Sequence, residues 1–400
     1  MKVPQGIPQN VWVLGFGSLL NDISSEMIHS LLPLFLVSSL GAGTLTVGLI
    51  EGTAEATASV VKIFSGALSD YLGQRKNLLV LGYGLSTLVK PLFALATTPA
   101  WVLAARFGDR VGKGIRVAPR DALVADTTPP ALRGAAYGLR QSLDSIGAFL
   151  GPLIASALML AWGGKLRWVF WAALIPGVLA VVLLAAGVRE PQNQKYQLEP
   201  GAGQRRTQPL HWHSLRRLQG AYWLLLGVAL LFNLGNSSDA FLLLKAEQLG
   251  IATPLVPLGL VVVNLAYAAS AYPVGVLSDR LGRVGLLVAG FLLYALVYLG
   301  FAVAQSPWQV WGLFALYGLH LGLSQGVLLA LVADRVPGDL RGTALGFLNL
   351  AVGVALLPAS LLAGSLWQHF GSGATFAIGS IFAVAAAVLL WVFRPAVGQQ

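Results

Sequence analysis

Between Trp101 and Asp126 the chain carries Arg106, Asp109, Arg110, Lys113, Arg116, Arg120 and Asp121 in an otherwise apolar setting. At roughly 100° per residue these seven fall within a helical arc of about 140°. Val102, Leu103, Val111, Val117, Ala118 and Ala122 occupy the other face. Two smaller groupings repeat the pattern. Asp22, Glu26 and His29 lie within about 60° of one another on a helix, and Glu51, Glu55 and Lys62 within about 40°. Arg140 and Asp144 stand one turn apart and are able to pair. Lys90 follows Tyr83 by two turns, placed to answer one of the carboxylates. Such groups inside apolar helices hold a proton or a charged substrate, or pair with one another to pin helices together. Burial favours the neutral form of a carboxylate and a neighbouring Arg favours the charged form. That tension suits a carrier whose proton affinity follows substrate and conformation. His29 reads more simply as an interfacial group near a helix end.

The surroundings set the physical context. The chain has 400 residues, 56% hydrophobic and only 10% charged, where soluble chains carry about 25% charged residues. Mean hydropathy is +0.73. There are 47 glycines, as suits closely packed membrane helices, and no cysteine, which excludes disulfides and thiol nucleophiles. The net charge of +10 does not point to nucleic acid, because most basic residues lie in short segments between apolar runs.

Those runs predict twelve membrane spans, at 11–39, 44–68, 77–96, 100–125, 134–162, 168–188, 221–245, 253–277, 284–304, 307–332, 342–367 and 373–393. Each is long enough to cross a hydrocarbon core of roughly 30 Å. The polar stretch 189–220 divides the chain into two six-helix bundles, 1–188 and 221–400. Lys and Arg concentrate at the termini and in alternate loops, which predicts that both termini are cytoplasmic. The start reads as an uncleaved cytoplasmic end.

The two bundles repeat in sequence. Gly66-Ala-Leu-Ser-Asp70-Tyr-Leu-Gly73-Gln-Arg75 recurs as Gly275-Val-Leu-Ser-Asp279-Arg-Leu-Gly282-Arg283. Ala122-Leu-Val-Ala-Asp126 recurs as Ala330-Leu-Val-Ala-Asp334, and Arg133-Gly134 as Arg341-Gly342. Ser24-Ser25-Glu26 resembles Ser237-Ser238-Asp239. Duplicated six-helix units are a transporter signature. The repeat also makes 99–126 a membrane helix, because it aligns without gaps to the apolar stretch 307–334.

The paired Gly-x-Leu-x-Asp-x-x-Gly-x-Arg motifs resemble those of the major facilitator superfamily, over essentially the whole chain. Arg110-Val-Gly-Lys113-Gly114 resembles the Arg-x-x-Gln-Gly signature of proton-coupled members, with Lys113 in place of Gln. Gly147-Ala-Phe-Leu-Gly151-Pro152 resembles the antiporter motif of helix 5, except that Ala155-Ser156 replaces its closing Gly-Gly. The resemblance implies an all-α membrane protein of twelve transmembrane helices in two pseudo-symmetric six-helix bundles, working by alternating access. It implies that Asp70 caps a neighbouring helix and pairs across the interface. Gly66, Gly73, Arg75, Asp126, Arg133, Asp279, Gly282, Arg283, Asp334 and Arg341 then complete the gating group.

The expected cavity residues are Asp22, Glu26, Glu51, Glu55, Lys62, Lys90, Arg106, Asp109, Arg110, Lys113, Arg116, Arg140 and Asp144 from the first half. The second half offers Asn233, Asn236, Asp239 and Tyr267. Arg140 with Asp144, and Lys62 with Glu55, read equally well as structural ion pairs. No enzyme signature and no phosphate-binding loop is present; the coupling ion is expected to be the proton, with no cofactor or metal. The leading expectation is a monomeric proton antiporter of the cell membrane that exports a small organic molecule. Proton symport of an anionic metabolite or siderophore is the alternative, and lipid transport a third.

Overall fold

A computed structural model describes residues 6–72, 75–129, 132–190, 217–218, 220–337 and 340–394. The linker, apart from its edges, and Gly73 lie outside these residues, as do the side chains of Asp70 and Asp279.

The described helices group into twelve rods. These are α1 (Gln9–His29), α2 (Thr44–Leu72), α3 (Arg75–Leu88 and Lys90–Leu95), α4 (Pro99–Thr127), α5 (Arg133–Ala161) and α6 (Leu166–Gly187). The second set is α7 (Gly220–Gly235 and Ala240–Gln248), α8 (Leu258–Leu281), α9 (Arg283–Val303), α10 (Pro307–Asp334), α11 (Arg341–Phe370) and α12 (Ser372–Val392). Nine of them are long and apolar enough to cross a membrane by themselves among the described residues. The other three are α1, α2 and α4, the rods that carry the charged groupings.

The sequence periods place the rods within a few residues, yet miss two breaks. The first predicted span stops at His29, then continues as a short turn (Leu32–Leu34) and a π-helical turn (Phe35–Ser39). Pro33 removes a backbone donor there. In α7 the helix is interrupted over 236–239. That run is Asn-Ser-Ser-Asp after Gly235, and such side chains compete with the helix for backbone hydrogen bonds. α3 bends at Val89, just before Lys90-Pro91.

Packing reproduces the repeat in three dimensions. α1 packs on α5 and α6, α2 on α4, and α3 on α4 and α6; the corresponding pairs are α7 with α11 and α12, α8 with α10, and α9 with α10 and α12. The halves meet through α2 on α11 and α5 on α8, which the same pseudo-symmetry exchanges. These contacts concentrate at the end of the bundle away from the chain termini. Thr44 Oγ1 donates to the Gly364 carbonyl at 3.0 Å, and Asn264 Nδ2 to the Ala148 carbonyl at 3.2 Å. A Cβ added at Gly48 would lie 2.1 Å from the Ser360 carbonyl oxygen, so the α2 and α11 backbones nearly touch.

The second half has one continuous apolar core. The first half has two, one around Val11, Leu79 and Leu123 and one around Ile28, Val102 and Phe170. Between them lies a layer of buried charge: Glu51, Lys90, Arg106, Asp109, Arg110, Arg116, Arg120 and Arg140.

Candidate functional site

A cavity of about 430 Å³ lies between the halves. α1 contributes Glu26 and His29, α2 Glu51 and Glu55, and α4 Arg106, Arg110 and Lys113. From the second half come Asn236, Ser237, Ser238 and Asp239 of the α7 break, Tyr317, Leu321 and Gln325 of α10, and Leu356 and Ser360 of α11.

Its first-half wall is a connected ion network. Arg106 Nη2 donates to Glu51 Oε2 at 2.7 Å, with both side chains buried. One turn on, Arg110 Nη1 lies 3.2 Å from Glu55 Oε1 and its Nη2 is 3.2 Å from His29 Nδ1. His29 bridges two carboxylates, with Nδ1 3.7 Å from Glu26 Oε1 and Nε2 3.6 Å from Asp109 Oδ2. Helix spacing explains the match: Arg106 and Arg110 on α4 run alongside Glu51 and Glu55 on α2, each pair four residues apart.

Glycines set how closely these rods approach. A Cβ at Gly147 would fall 2.9 Å from Asp22 Cβ, and one at Gly151 2.5 Å from Glu26 Cβ. The antiporter-like motif Gly147, Gly151, Pro152 is therefore the surface of α5 on which the acidic face of α1 rests. Gly114 of the α4 motif likewise admits Val61 of α2, at 2.6 Å.

Several expected cavity residues do other work. Lys90 answers no carboxylate directly; Nζ donates to the hydroxyls of Ser24 and of Ser25. Arg116 Nη1 donates to Ser86 Oγ at 2.6 Å and its guanidinium sits 4.7 Å from the Tyr83 ring centre. Arg140 pairs with Asp144 at 2.5 Å, the structural reading of that spacing. Arg120 joins them from α4, reaching Asp144 at 3.7 Å and Ser18 at 2.7 Å. Lys62 is exposed, and Glu55 takes Arg110 instead. Asp22 is half-buried beside Asn21, Asn233 donates to the Ala229 carbonyl, and Tyr267 is half-buried; none of these lines the cavity. Asp109 lies just behind the wall.

Two titratable cavity residues, His29 and Tyr317, are missing from the expected cavity set. His29, which its place near a helix end marks as an interfacial group, turns inward because Arg110 and Asp109 stand opposite it. Tyr317 occupies the position on α10 that Asp109 holds on α4. Its hydroxyl donates to Asp239 Oδ1 at 2.8 Å, so the neutral twin of one acid hydrogen-bonds another.

At the end holding the termini, Arg75 pairs with Asp126 and Arg283 with Asp334. The two pairs are pseudo-symmetric twins, each inside its own half. Glu190, unforeseen in the sequence, accepts from the Arg75 and Lys76 backbone amides at 2.9 and 3.0 Å. It thereby caps the α3 N-terminus, where negative charge is favoured. Arg341 donates to the Ala333 carbonyl at 3.0 Å, and Arg133 is exposed. Gly282 takes φ 89°, a backbone that favours glycine; a Cβ at Gly66 would meet only Ala118, at 3.5 Å.

The description Major Facilitator Superfamily matches residues 14–262 and 238–399. An uncharacterised MFS-type transporter of Methanocaldococcus jannaschii is 35% identical over 395 residues, covering 96% of this chain and 94% of that protein. Multidrug resistance protein MdtH of Yersinia pestis is 32% identical over 178 residues, 44% of this chain and 42% of that one. A POT family transporter solved with 5-aminolevulinic acid superposes with a TM-score of 0.80 at 14% identity, over 100% of this chain and 98% of the other.

Proposed function

Since the chain belongs to the Major Facilitator Superfamily, and so is a multi-pass membrane transporter and not an enzyme, we propose that it exchanges protons for a small cationic or zwitterionic organic molecule, and that the physiological direction is export. The observation that carries this reading is the charge pattern of the cavity. Arg106 and Arg110 are matched within the wall by Glu51 and Glu55. Glu26, Asp239 and Lys113 remain, two acids against one base; the acids face the cavity from opposite halves with His29 and Tyr317 as their partners.

A proton on the Glu26–His29 pair and a substrate cation in the cavity compete for the same negative charge. That competition is the thermodynamic core of exchange. The partial match to a relative named for multidrug resistance points the same way. We place both termini in the cytoplasm, by the Lys and Arg distribution, and the protein in the cell membrane as a monomer.

Anion symport would draw on the bases expected in the first half, Lys62, Lys90, Arg106, Arg110, Lys113, Arg116 and Arg140, of which only Arg106, Arg110 and Lys113 line the cavity. One observation keeps that reading in play: Arg106 Nε and Nη1 are buried with no hydrogen-bond partner among the described residues. Purified protein in liposomes, with an imposed pH gradient and an internal pH dye, separates the two. Organic cations should release trapped protons and anions should not. Proton uptake with anionic metabolites, lost in Arg106→Met, would replace exchange by symport. No pH response to any transported compound would remove proton coupling altogether.

A further inference from the structure

The second half holds an arrangement of which the proposed exchange uses only the Asp239 carboxylate. α7 stops at Gly235 and restarts at Ala240, and the four residues between them border the cavity. Breaking a helix inside a membrane strips backbone groups of their partners and is tolerated only where something else satisfies them. Part of the repair is visible. Tyr294 donates to the Gly235 carbonyl at 3.0 Å, and the amide of Phe241 returns to the Ser238 carbonyl at 3.1 Å. Two oxygens are left over. Asn236 Oδ1 and Ser237 Oγ are buried and make no hydrogen bond of normal geometry among the described residues, although the Tyr298 hydroxyl stands near enough to Ser237 to interact. Asn236 uses its Nδ2 on Asn233, at 3.4 Å, so its oxygen is the end left unsatisfied.

Asp239 closes the same short run. Tyr317 takes Oδ1, leaving Oδ2 unspoken for by any hydrogen bond described. The charged groups across the cavity are Glu26, Glu51, Glu55, Arg106, Arg110 and Lys113. The two arginines are matched by Glu51 and Glu55, so the field at Asp239 is not dominated by cations.

A proton would need Asp239 alone and would leave the two neutral oxygens unexplained. A single carboxylate would leave the second charge of a divalent ion unbalanced at this break, where calcium sites gather several carboxylates. One carboxylate with hard, neutral oxygens at an unwound helix suits a singly charged metal ion, as discontinuous membrane helices provide elsewhere. We propose that the break in α7 binds a monovalent alkali cation, Na+ the first candidate, through the Asp239 carboxylate, the Asn236 amide oxygen and the Ser237 hydroxyl. The chain then carries two coupling sites, a proton site in the first half and a metal-ion site in the second. This extends the exchange reading but does not depend on it, because ion binding is measured without transport.

The test is thermal unfolding of the purified full-length protein in detergent at fixed ionic strength, with NaCl, LiCl, KCl, methylammonium chloride or choline chloride. Na+ should raise the midpoint over choline in a saturable way. Asp239→Asn should remove the rise while keeping its midpoint in choline, which shows that it folds. Ser237→Ala, the milder change, should raise the half-saturating Na+ concentration about tenfold, the value of one lost ligand contact of about 1.4 kcal/mol. Equal midpoints in all five salts overturn the proposal. So does a rise with methylammonium alone, which makes the break a site for a substrate amine, or a Na+ effect that survives both variants. Proton release by organic cations, measured in sodium-free KCl buffer, stands or falls separately.

Discussion

In the first half, α4 buries Arg106, Asp109, Arg110, Arg116 and Arg120 against its neighbours; its twin α10 buries Phe314, Tyr317, His320 and Ser324. The rods around the two are the same by pseudo-symmetry, so the backbone arrangement does not demand the charges. The second half uses the space for aromatic packing: Tyr294 stacks on Tyr298 at 4.0 Å, and Phe232 on Phe291 at 4.3 Å. The first half gives up a continuous core to keep a charged layer. A buried ion pair is often no more stabilising than an apolar pair of the same size. On the proposed reading the layer serves transport and the aromatic cluster holds a rigid counterpart.

The largest expected effect comes from Arg110→Ala. It leaves Glu55, Asp109 and His29 facing one another without their shared cation, and transport in proteoliposomes should fall to background. The protein should still elute as a folded species, less stable by about 3–5 kcal/mol, as when one member of a buried pair is lost. A fully active variant would dissolve the distinction between the halves.

Arg106→Met should cost stability on the same scale, about 3–5 kcal/mol. The double change Glu51→Leu with Arg106→Met should recover the wild-type unfolding midpoint while remaining inactive. Were the double variant as unstable as the single one, the layer would be structural after all.

A smaller effect is expected at the junction of α1 and α5. Gly151→Ala puts a methyl against Glu26 Cβ and the Ile23 carbonyl, with a loss of about 1–3 kcal/mol by overpacking. The apparent substrate affinity should fall with it, because Glu26 moves. Gly138→Ala on the same rod meets nothing within 4 Å and serves as the reference. Smallest is Tyr317→Phe, which strips the hydroxyl from Asp239 and, because Asp239 is exposed to the cavity, should cost about 0.5–1.5 kcal/mol. Its readout is the pH at which exchange is half-maximal, which should shift if Asp239 takes part and stay put if the tyrosine only packs.

Much of this was legible in the chain. Periodicity located the rods, and the repeat showed that 99–126 is a membrane helix by aligning it with an apolar twin. The four-residue step predicted Arg140–Asp144, since both partners share one helix. Pairings between helices were not legible. A helical wheel gives the direction of a side chain around its own axis, not which neighbour stands there. Thus Lys90, placed by its spacing to answer a carboxylate, rests on two serines, and Lys62, for which pairing with Glu55 is one of two readings, is exposed while Arg110 holds Glu55. The α7 break was hidden because 221–245 is apolar enough on average to mask four polar residues in a row. The Ser-Ser-acid repeat was seen, but in α1 it stays helical, and only Gly235 with Asn236 distinguishes the second copy.

The seam between α2 and α11 bears on how fast such a machine can turn over. Gly48, Gly52, Gly353 and Gly364 let the two backbones meet with little side chain between them. Inside a membrane no hydrophobic force holds helices together, so this contact rests on close packing and a few hydrogen bonds such as Thr44 to Gly364. Each packed atom pair is worth only about 0.1–0.2 kcal/mol. Among the described residues no ion pair crosses this seam, and the side chain seated on Gly353, that of Ser59, is small. The barrier to opening is thus assembled from many small increments, and adding or removing single methyl groups along the seam would grade the turnover rate in steps.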